Sequence, residues 1–478
     1  MPNLLASLLS SSGALQAYDR VLEVTQSNVA NASTPGYAKQ VQSLYAMPFD
    51  PEQGTTGGVR DGEVQSARDE YAEQAVRRQV TALGDADQRV NSLTAIQSGF
   101  DISGDTGIPN ALNQLFQSFS AWGMSPNSTV ARQDVLDRAA DLARSFQQAA
   151  TGLGQVARDT EQQIKATMDQ VNSLTLELQG YNQEIRRGAI HDAGLDARVH
   201  AALEGLSQLV DITTLKQADG SVTVMLSDGT TLAAGDQQYP LTYNLYQPAQ
   251  PPPVYTEGPP SAQVTAADGS DVTANIHTGQ LGALLDMRNR VLAGFLGDAY
   301  QPGELNRMAK SLADRINTVL ASGNASDGPP PVPGAALFNY DGSNDTAVAR
   351  SLAVTSAAPA DLGAIDPGPP YVANGIPLKL SALATPQDDA DKIDGFSYNE
   401  FYGLMAAGVG RELSDATTSQ EVDQSLAAQA KNLRQQTSGV SLDEEATIML
   451  QFQRGYQANA EMIKVLDQLT QDTIAMMQ

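Results

Sequence analysis

Ser27-Asn-Val-Ala-Asn-Ala-Ser-Thr-Pro-Gly-Tyr-Ala-Lys-Gln40 closes the first amphipathic run of the chain. Before it, Leu4, Leu8, Leu15, Tyr18, Leu22 and Val29 recur at spacings of four, seven, three, four and seven. That is one stripe of a helix at a heptad-like period. Pro35 and Gly36 predict a type II turn, because proline presets φ at the second position and glycine tolerates positive φ at the third. Tyr37 follows the turn. Asn28 and Asn31 can be read as polar residues ending the helix or as packing residues of an interface.

The far end of the chain carries a second stripe. Met449, Phe452, Tyr456, Ile463, Leu466 and Leu469 are spaced three, four, seven, three and three apart. Ser441-Leu-Asp-Glu444 just before it reads as a capping box, and Asp443, Glu444 and Glu445 complement the positive end of a helix dipole. Neither stripe has a partner close by in sequence. The two terminal helices are therefore expected to pair in coiled-coil fashion, or to pack against other copies of the chain.

Between them the pattern is mainly helical. Residues 64–99 read as one long helix with Gly84 as its weak point. Pro109 suits the first turn of the next helix, which holds Leu112, Leu115, Phe116 and Phe119. Another helical block follows Ser125–Ser128, with a break expected near Gly152, and a shorter helix spans about Asp196 to Val210. From Asp211 the pattern alternates, and Asp219-Gly220 and Asp228-Gly229 are hairpin signals. Pro-rich tracts at 248–260, 329–333 and 367–370 read as loops. Helix is expected over Leu281–Leu320, and from Tyr398 to the end with a break near Gly439.

Composition removes several functional classes. The 478 residues include 29 Lys and Arg against 55 Asp and Glu, a net charge of −26, and no cysteine. There is no thiolate metal site, disulfide or cysteine nucleophile. So negative a chain does not suit general nucleic-acid binding or docking on anionic lipid. Composition alone reads as a soluble acidic protein, without a cleavable signal or a membrane-length apolar run. His191, His200 and His277 lack metal-ligand spacing. The acidic run Asp388, Asp389, Asp391 and Asp394 lacks the glycine and final glutamate of a calcium loop. No catalytic, cofactor-binding or metal residue is expected.

Two signatures at opposite ends carry a resemblance. Ser27–Gln40 resembles the N-terminal signature of the flagellar rod, hook and hook-associated protein family. Gly439-Val-Ser-Leu-Asp-Glu-Glu-Ala446 with Phe452-Gln-Arg-Gly-Tyr-Gln-Ala-Asn-Ala460 resembles its C-terminal signature. Thr34-Pro-Gly-Tyr37, the Ser-Leu-Asp-Glu-Glu run and Gly279–Arg288 resemble the hook-associated branch more than hook or rod members. Ala38-Lys39 departs from the Ser-Arg usual there, a conservative change.

The resemblance implies a structural protein, mainly α-helical with an inserted β-rich outer domain, elongated and multidomain. Residues 1–61 and 440–478 would form the inner domain. Residues 62–210, 276–325 and 397–439 would form the helical domain, and 211–275 and 326–396 the outer part, as one domain or two. It further implies a hook–filament junction built from identical subunits, with the hook protein and the next junction protein as neighbours. Export by the flagellar type III apparatus without a cleaved signal, and a cytosolic chaperone on the C-terminal helix, belong to the same implication. The alternatives are a hook or distal-rod protein, or an exported enzyme or adhesin whose function sits in the outer segments.

Overall fold

The structure, a computed structural model, describes residues 2–50, 55–100, 106–246 and 261–476. The expected loop at 248–260 lies outside the described residues. In chain order, helix α1 (Pro2–Ala30) precedes strands β1 (Gln40–Ala46), β2 (Phe49–Asp50), β3 (Thr55–Thr56) and β4 (Val59–Ser66). Helices α2 (Glu70–Gln97), α3 (Gly107–Met124), α4 (Thr129–Glu184) and α5 (Ala193–Leu209) follow. Next come β5 (Ile212–Lys216), β6 (Val222–Leu226), β7 (Thr231–Ala234), β8 (Gln237–Gln238), β9 (Thr242–Tyr246) and β10 (Ser261–Thr265). Short helices α6 (Gly279–Asp286) and α7 (Ala293–Leu296) lead to α8 (Glu304–Ala321). A largely irregular stretch with two brief helices precedes the last two long helices, Tyr398–Ser438 and Leu442–Ala475, here called the penultimate and C-terminal helices.

The chain divides into two compact units. The first comprises residues 1–83, 171–239 and 423–478, and the second 84–170 and 240–422.

In the first unit, β5–β8 form a four-stranded antiparallel sheet in sequence order. Strand β6 buries Val222, Val224 and Leu226 and leaves the alternate positions partly open, the period-2 signature of a half-buried strand. Asn182 locks the strand's start: its amide donates to Val222 O at 2.8 Å, and its oxygen accepts from Val222 N at 2.8 Å. Strands β1 and β4 pair antiparallel with an irregularity between Gln42 and Leu44, and α1 packs against both.

The second unit has one large core. Leu112, Leu115, Phe119 and Trp122 of α3 meet Val135, Leu142 and Phe146 of α4 and Met308, Leu312 and Ile316 of α8. The expected apolar face of α3 is thus core. Phe100 and Phe295 stack edge to face at 4.9 Å. Pro109 sits in the first turn of α3 as expected.

Three expectations need correction. Residues 59–66 are strand, so α2 begins at Glu70, not at 64. The alternation there was masked by its polar content. Neither Gly84 nor Gly152 breaks its helix, because a glycine costs only about 1 kcal/mol in a helix and packing overrides that. The helix expected over 281–320 stops at Leu296 and restarts at Glu304. Gly297 and Gly303 adopt positive φ, and a Cβ on Gly303 would lie 2.2 Å from Gly297 N, so both must be glycine.

The sequence leaves open whether the two outer segments form one domain or two. Residues 211–239 belong to the first unit and 326–396 to the second. Leu337, Phe338, Leu352, Leu362, Ile376 and Leu380 are part of the second unit's helical core, not of a separate layer.

Candidate functional site

The terminal helices lie side by side and antiparallel. Ser11 hydroxyl meets Met462 Sδ at 3.7 Å, the Tyr18 ring packs edge to face on Phe452 at 5.4 Å, and Asn28 reaches Glu445. Gly455 makes room for this crossing, since a Cβ there would stand 3.1 Å from the Tyr18 ring.

Asn28 is the node where the pair closes. It is 1 % exposed, and its side chain makes four hydrogen bonds. Its amide donates to Gln40 O at 2.8 Å and to Glu445 Oε2 at 3.1 Å. Its oxygen accepts from Gln40 N at 2.9 Å and from the Tyr37 hydroxyl at 3.0 Å. One amide thus joins α1, the following turn, the start of β1 and the C-terminal helix. Lys39 completes the junction, 3.0 Å from Glu444 and 3.1 Å from buried Glu445. Burial works against its charge, but hydrogen bonds to Glu444 and Glu445 outweigh it and hold the ammonium above the usual lysine range. Ser441 caps the C-terminal helix by accepting from Glu444 N.

The turn is as the sequence predicts. Tyr37 N donates to Thr34 O at 3.1 Å, and Gly36 has φ of 75°. Gly36 presses on α5, where a Cβ would fall 2.2 Å from Ala197 O. Arg68 binds Gly36 O at 2.6 Å while pairing with Glu73 at 2.5 Å and Asp196 at 2.6 Å. Arg434 bridges Glu73 and Glu204 at 3.2 and 2.7 Å. Burial raises the Glu204 carboxyl, but the Arg434 hydrogen bond and charge hold it below the ordinary glutamate value.

The other sequence-chosen residues occupy the flanks of this contact. Among the described side chains of α1 the buried positions are Ser11, Ala14, Ala17, Val21, Thr25 and Asn28. Leu8, Leu15, Tyr18 and Leu22 are half-buried beside that seam, and Val29 is exposed. The Leu4 side chain lies outside the described residues. Asn31 stays local, donating to Ser27 O at 2.9 Å and accepting from Thr34 Oγ1 at 3.1 Å, and Pro35 is exposed. On the C-terminal helix, Met449, Phe452, Ile463 and Leu466 are half-buried, while Tyr456 and Leu469 are exposed. Sequence reasoning did not single out Arg68, Glu73, Arg434 or Gly455. Gly455 stands inside the C-terminal motif and was legible there; the ion pairs had no local signal.

Asp389, Asp391 and Asp394 of the acidic run are in ion pairs. Asp391 pairs with Arg315, Asp394 with Arg307 at 3.0 Å, and Asp389 with Lys392 at 3.4 Å. Among the described residues, no group of three acidic or histidine side chains is placed to hold a metal. No described helix is long and apolar enough to cross a membrane.

This arrangement of paired ends and a helical middle coincides with three family profiles. Residues 93–338, more than half of the chain, match the flagellar hook-associated protein FlgK helical domain. The chain belongs to the FlgK family. Residues 8–37 match the flagella basal body rod protein profile, and 434–476 the C-terminal profile of the flagellar basal body rod FlgEFG proteins. Among curated relatives, flagellar hook-associated protein 1 of Bacillus subtilis (strain 168) is 25% identical, covering 96% of both chains. That of Escherichia coli (strain K12) is 21% identical over 97% of this chain and 98% of its own. The solved flagellar hook junction protein FlgK from Burkholderia pseudomallei superposes with a TM-score of 0.64 at 14% identity. That match covers 76% of this chain and 99% of the other, and shows a shared fold. Membership in the FlgK family makes this chain a structural, hook-associated component of the flagellum.

Proposed function

We propose that this chain forms the junction between hook and filament by packing identical subunits through the outer faces of its paired terminal helices. One observation carries the reading. The pair buries only one side of each helix, and Leu9, Leu450, Met462, Val465, Leu469 and Ile474 remain exposed. Apolar side chains left on both helices of a pair need a further partner. A repeated copy meets that need along an axial lattice through head-to-tail contacts.

The hook protein and the next junction protein are its neighbours in this scheme. The work is mechanical: one lattice is adapted to the next, with no catalytic step and no cofactor. Before assembly the same apolar face needs cover, which suits a cytosolic chaperone that takes the C-terminal helix in a groove. Passage through the flagellar type III apparatus as an unfolded, uncleaved chain places it outside the cell. The lack of cysteine suits such a passage.

The test compares Val465→Asp, on the exposed face, with Asp389→Ala in a motility assay and by labelling of isolated hooks. Val465→Asp is expected to abolish incorporation, and Asp389→Ala to leave it intact. Equal effects would overturn the reading.

A further inference from the structure

Strands β1 and β2 carry a row of apolar side chains that the folded chain leaves uncovered. Tyr45, Met47 and Phe49 are 53 %, 49 % and 73 % exposed. Met47 N donates to Gly58 O at 2.9 Å and Gly57 N to Pro48 O at 3.1 Å, so the pairing runs on from β1 to β2. Side chains at every second position of a paired strand share one face. Glycines of the opposite strand seat the two rings. A Cβ on Gly62 would stand 2.5 Å from the Tyr45 ring, and one on Gly57 would stand 3.3 Å from the Phe49 ring. Exposed Arg60 lies directly across from Tyr45 and so shares its face. Asp61, across from Leu44, faces the other side, where Arg20 of α1 stands 3.6 Å away. Glu63 sits at the irregularity between Gln42 and Leu44, on the side of Tyr45 away from Phe49.

The C-terminal helix carries a matching surface. Met462, Val465, Leu469, Asp472 and Met476 recur at spacings of three, four, three and four, one stripe of a helix. All five are exposed. The stripe lies beside the seam toward α1 and borders it where Met462 meets Ser11. Asp472 accepts from Gln468 at 3.0 Å. Neither Asp472 nor Arg60 makes an ion pair among the described residues. The run from Val465 to Met476 is about 16 Å long as helix. Tyr45 to Phe49 is about 13 Å long as strand.

Within one copy neither surface covers the other, since both are exposed in the folded chain. We propose that they meet between copies: the stripe at 462–476 of one subunit lies on the Tyr45, Met47 and Phe49 face of the next, with Asp472 against Arg60. Methionine sulfur packs favourably against aromatic rings. The charge pair fixes the register. A chain that bears both halves of one contact joins head to tail and builds a ring or a helix of copies. The inference rests on the proposed packing of identical subunits and names the surface that receives the C-terminal helix.

The test uses the absence of cysteine from the native chain. Met47→Cys and Leu469→Cys are expressed together on separate full-length chains, and isolated flagella are treated with a short bismaleimide. A cross-linked dimer is expected from this mixture and from neither variant alone. One chain bearing both changes is expected to give a ladder of multimers. Arg60→Asp is expected to cut incorporation about fivefold, the scale of one exposed ion pair. Adding Asp472→Arg is expected to restore it. A cross-link confined to single chains, dimers from either variant alone, or joining of the Met47→Cys chain to a different flagellar protein would each overturn the proposal. No cross-link at all, with Val465→Asp still blocking incorporation, would overturn it and leave the subunit packing standing. Full incorporation of Val465→Asp would overturn the packing itself.

Discussion

Asn28→Ala leaves Gln40 N–H and C=O, the Tyr37 hydroxyl and Glu445 without the partner they share. Buried groups stripped of a partner cost about 1–3 kcal/mol each before relaxation, and water can reach only some of these. The expected loss is about 3 kcal/mol, read by urea unfolding of the full chain. Asn31→Ala, whose bonds are local and exposed, is expected to lose little in the same assay. His200 gives a second prediction at this scale. Its native proton affinity lies well below the ordinary value of 6.5, through burial first and then Arg68, Arg77, Lys216 and Arg434. The unfolded chain therefore takes up a proton near pH 6.5 that the native chain refuses. Stability from this group is full above that pH and is lost as pH falls toward the depressed native value. His200→Gln is expected to flatten the stability–pH slope in that window, as measured by unfolding midpoints at several pH values.

At the scale of elements, the contact between α1 and the C-terminal helix depends on one missing side chain. Gly455→Val puts new atoms against the Tyr18 ring, where a Cβ alone already stands at 3.1 Å. Overpacking of this kind costs about 2 kcal/mol. Faster amide hydrogen exchange along α1 is expected, with the core amides of α3 and α8 unchanged. The legibility of the elements follows the same physics. Both terminal helices, the turn at Thr34–Tyr37 and the β5–β7 hairpins were readable, because periodicity, Pro-Gly and Asp-Gly are local signals. Strands β1 and β4 were not, because the β4 sequence Val59-Arg-Asp-Gly-Glu-Val-Gln-Ser66 is mostly polar and its strand state comes from pairing with β1. The seam of α1 was misplaced by one position for a related reason. Large apolar side chains draw the eye to Leu15, Tyr18 and Leu22, while close helix approach selects Ala14, Ala17 and Val21.

For the whole molecule, charge and apolar surface oppose each other. The net charge of −26 repels copies at long range, while the exposed side chains of the terminal pair attract at contact. Salt weakens only the first, since the screening length shrinks to about 10 Å at 0.1 M. Self-association measured by light scattering is therefore expected to quicken as ionic strength rises from low values, and Val465→Asp is expected to remove that response. The acidity is uneven in a way that fits: residues 211–275 hold one basic and seven acidic residues, whereas 1–45 hold two of each.

The sequence by itself determined the class, the two terminal helices, the turn between α1 and β1 and the family signatures. Each of these is written in neighbours along the chain, where hydrophobic period and turn chemistry act. Only the tertiary structure decided how the middle divides into units, which α1 residues form the seam, and how Asn28, Lys39 and Glu445 meet. It also decided that Arg68, Glu73, Arg434 and Glu204 join into one partly buried network. The physical reason is distance: Asn28 and Glu445 are 417 positions apart, and a hydrogen bond across that interval leaves no trace in local spacing.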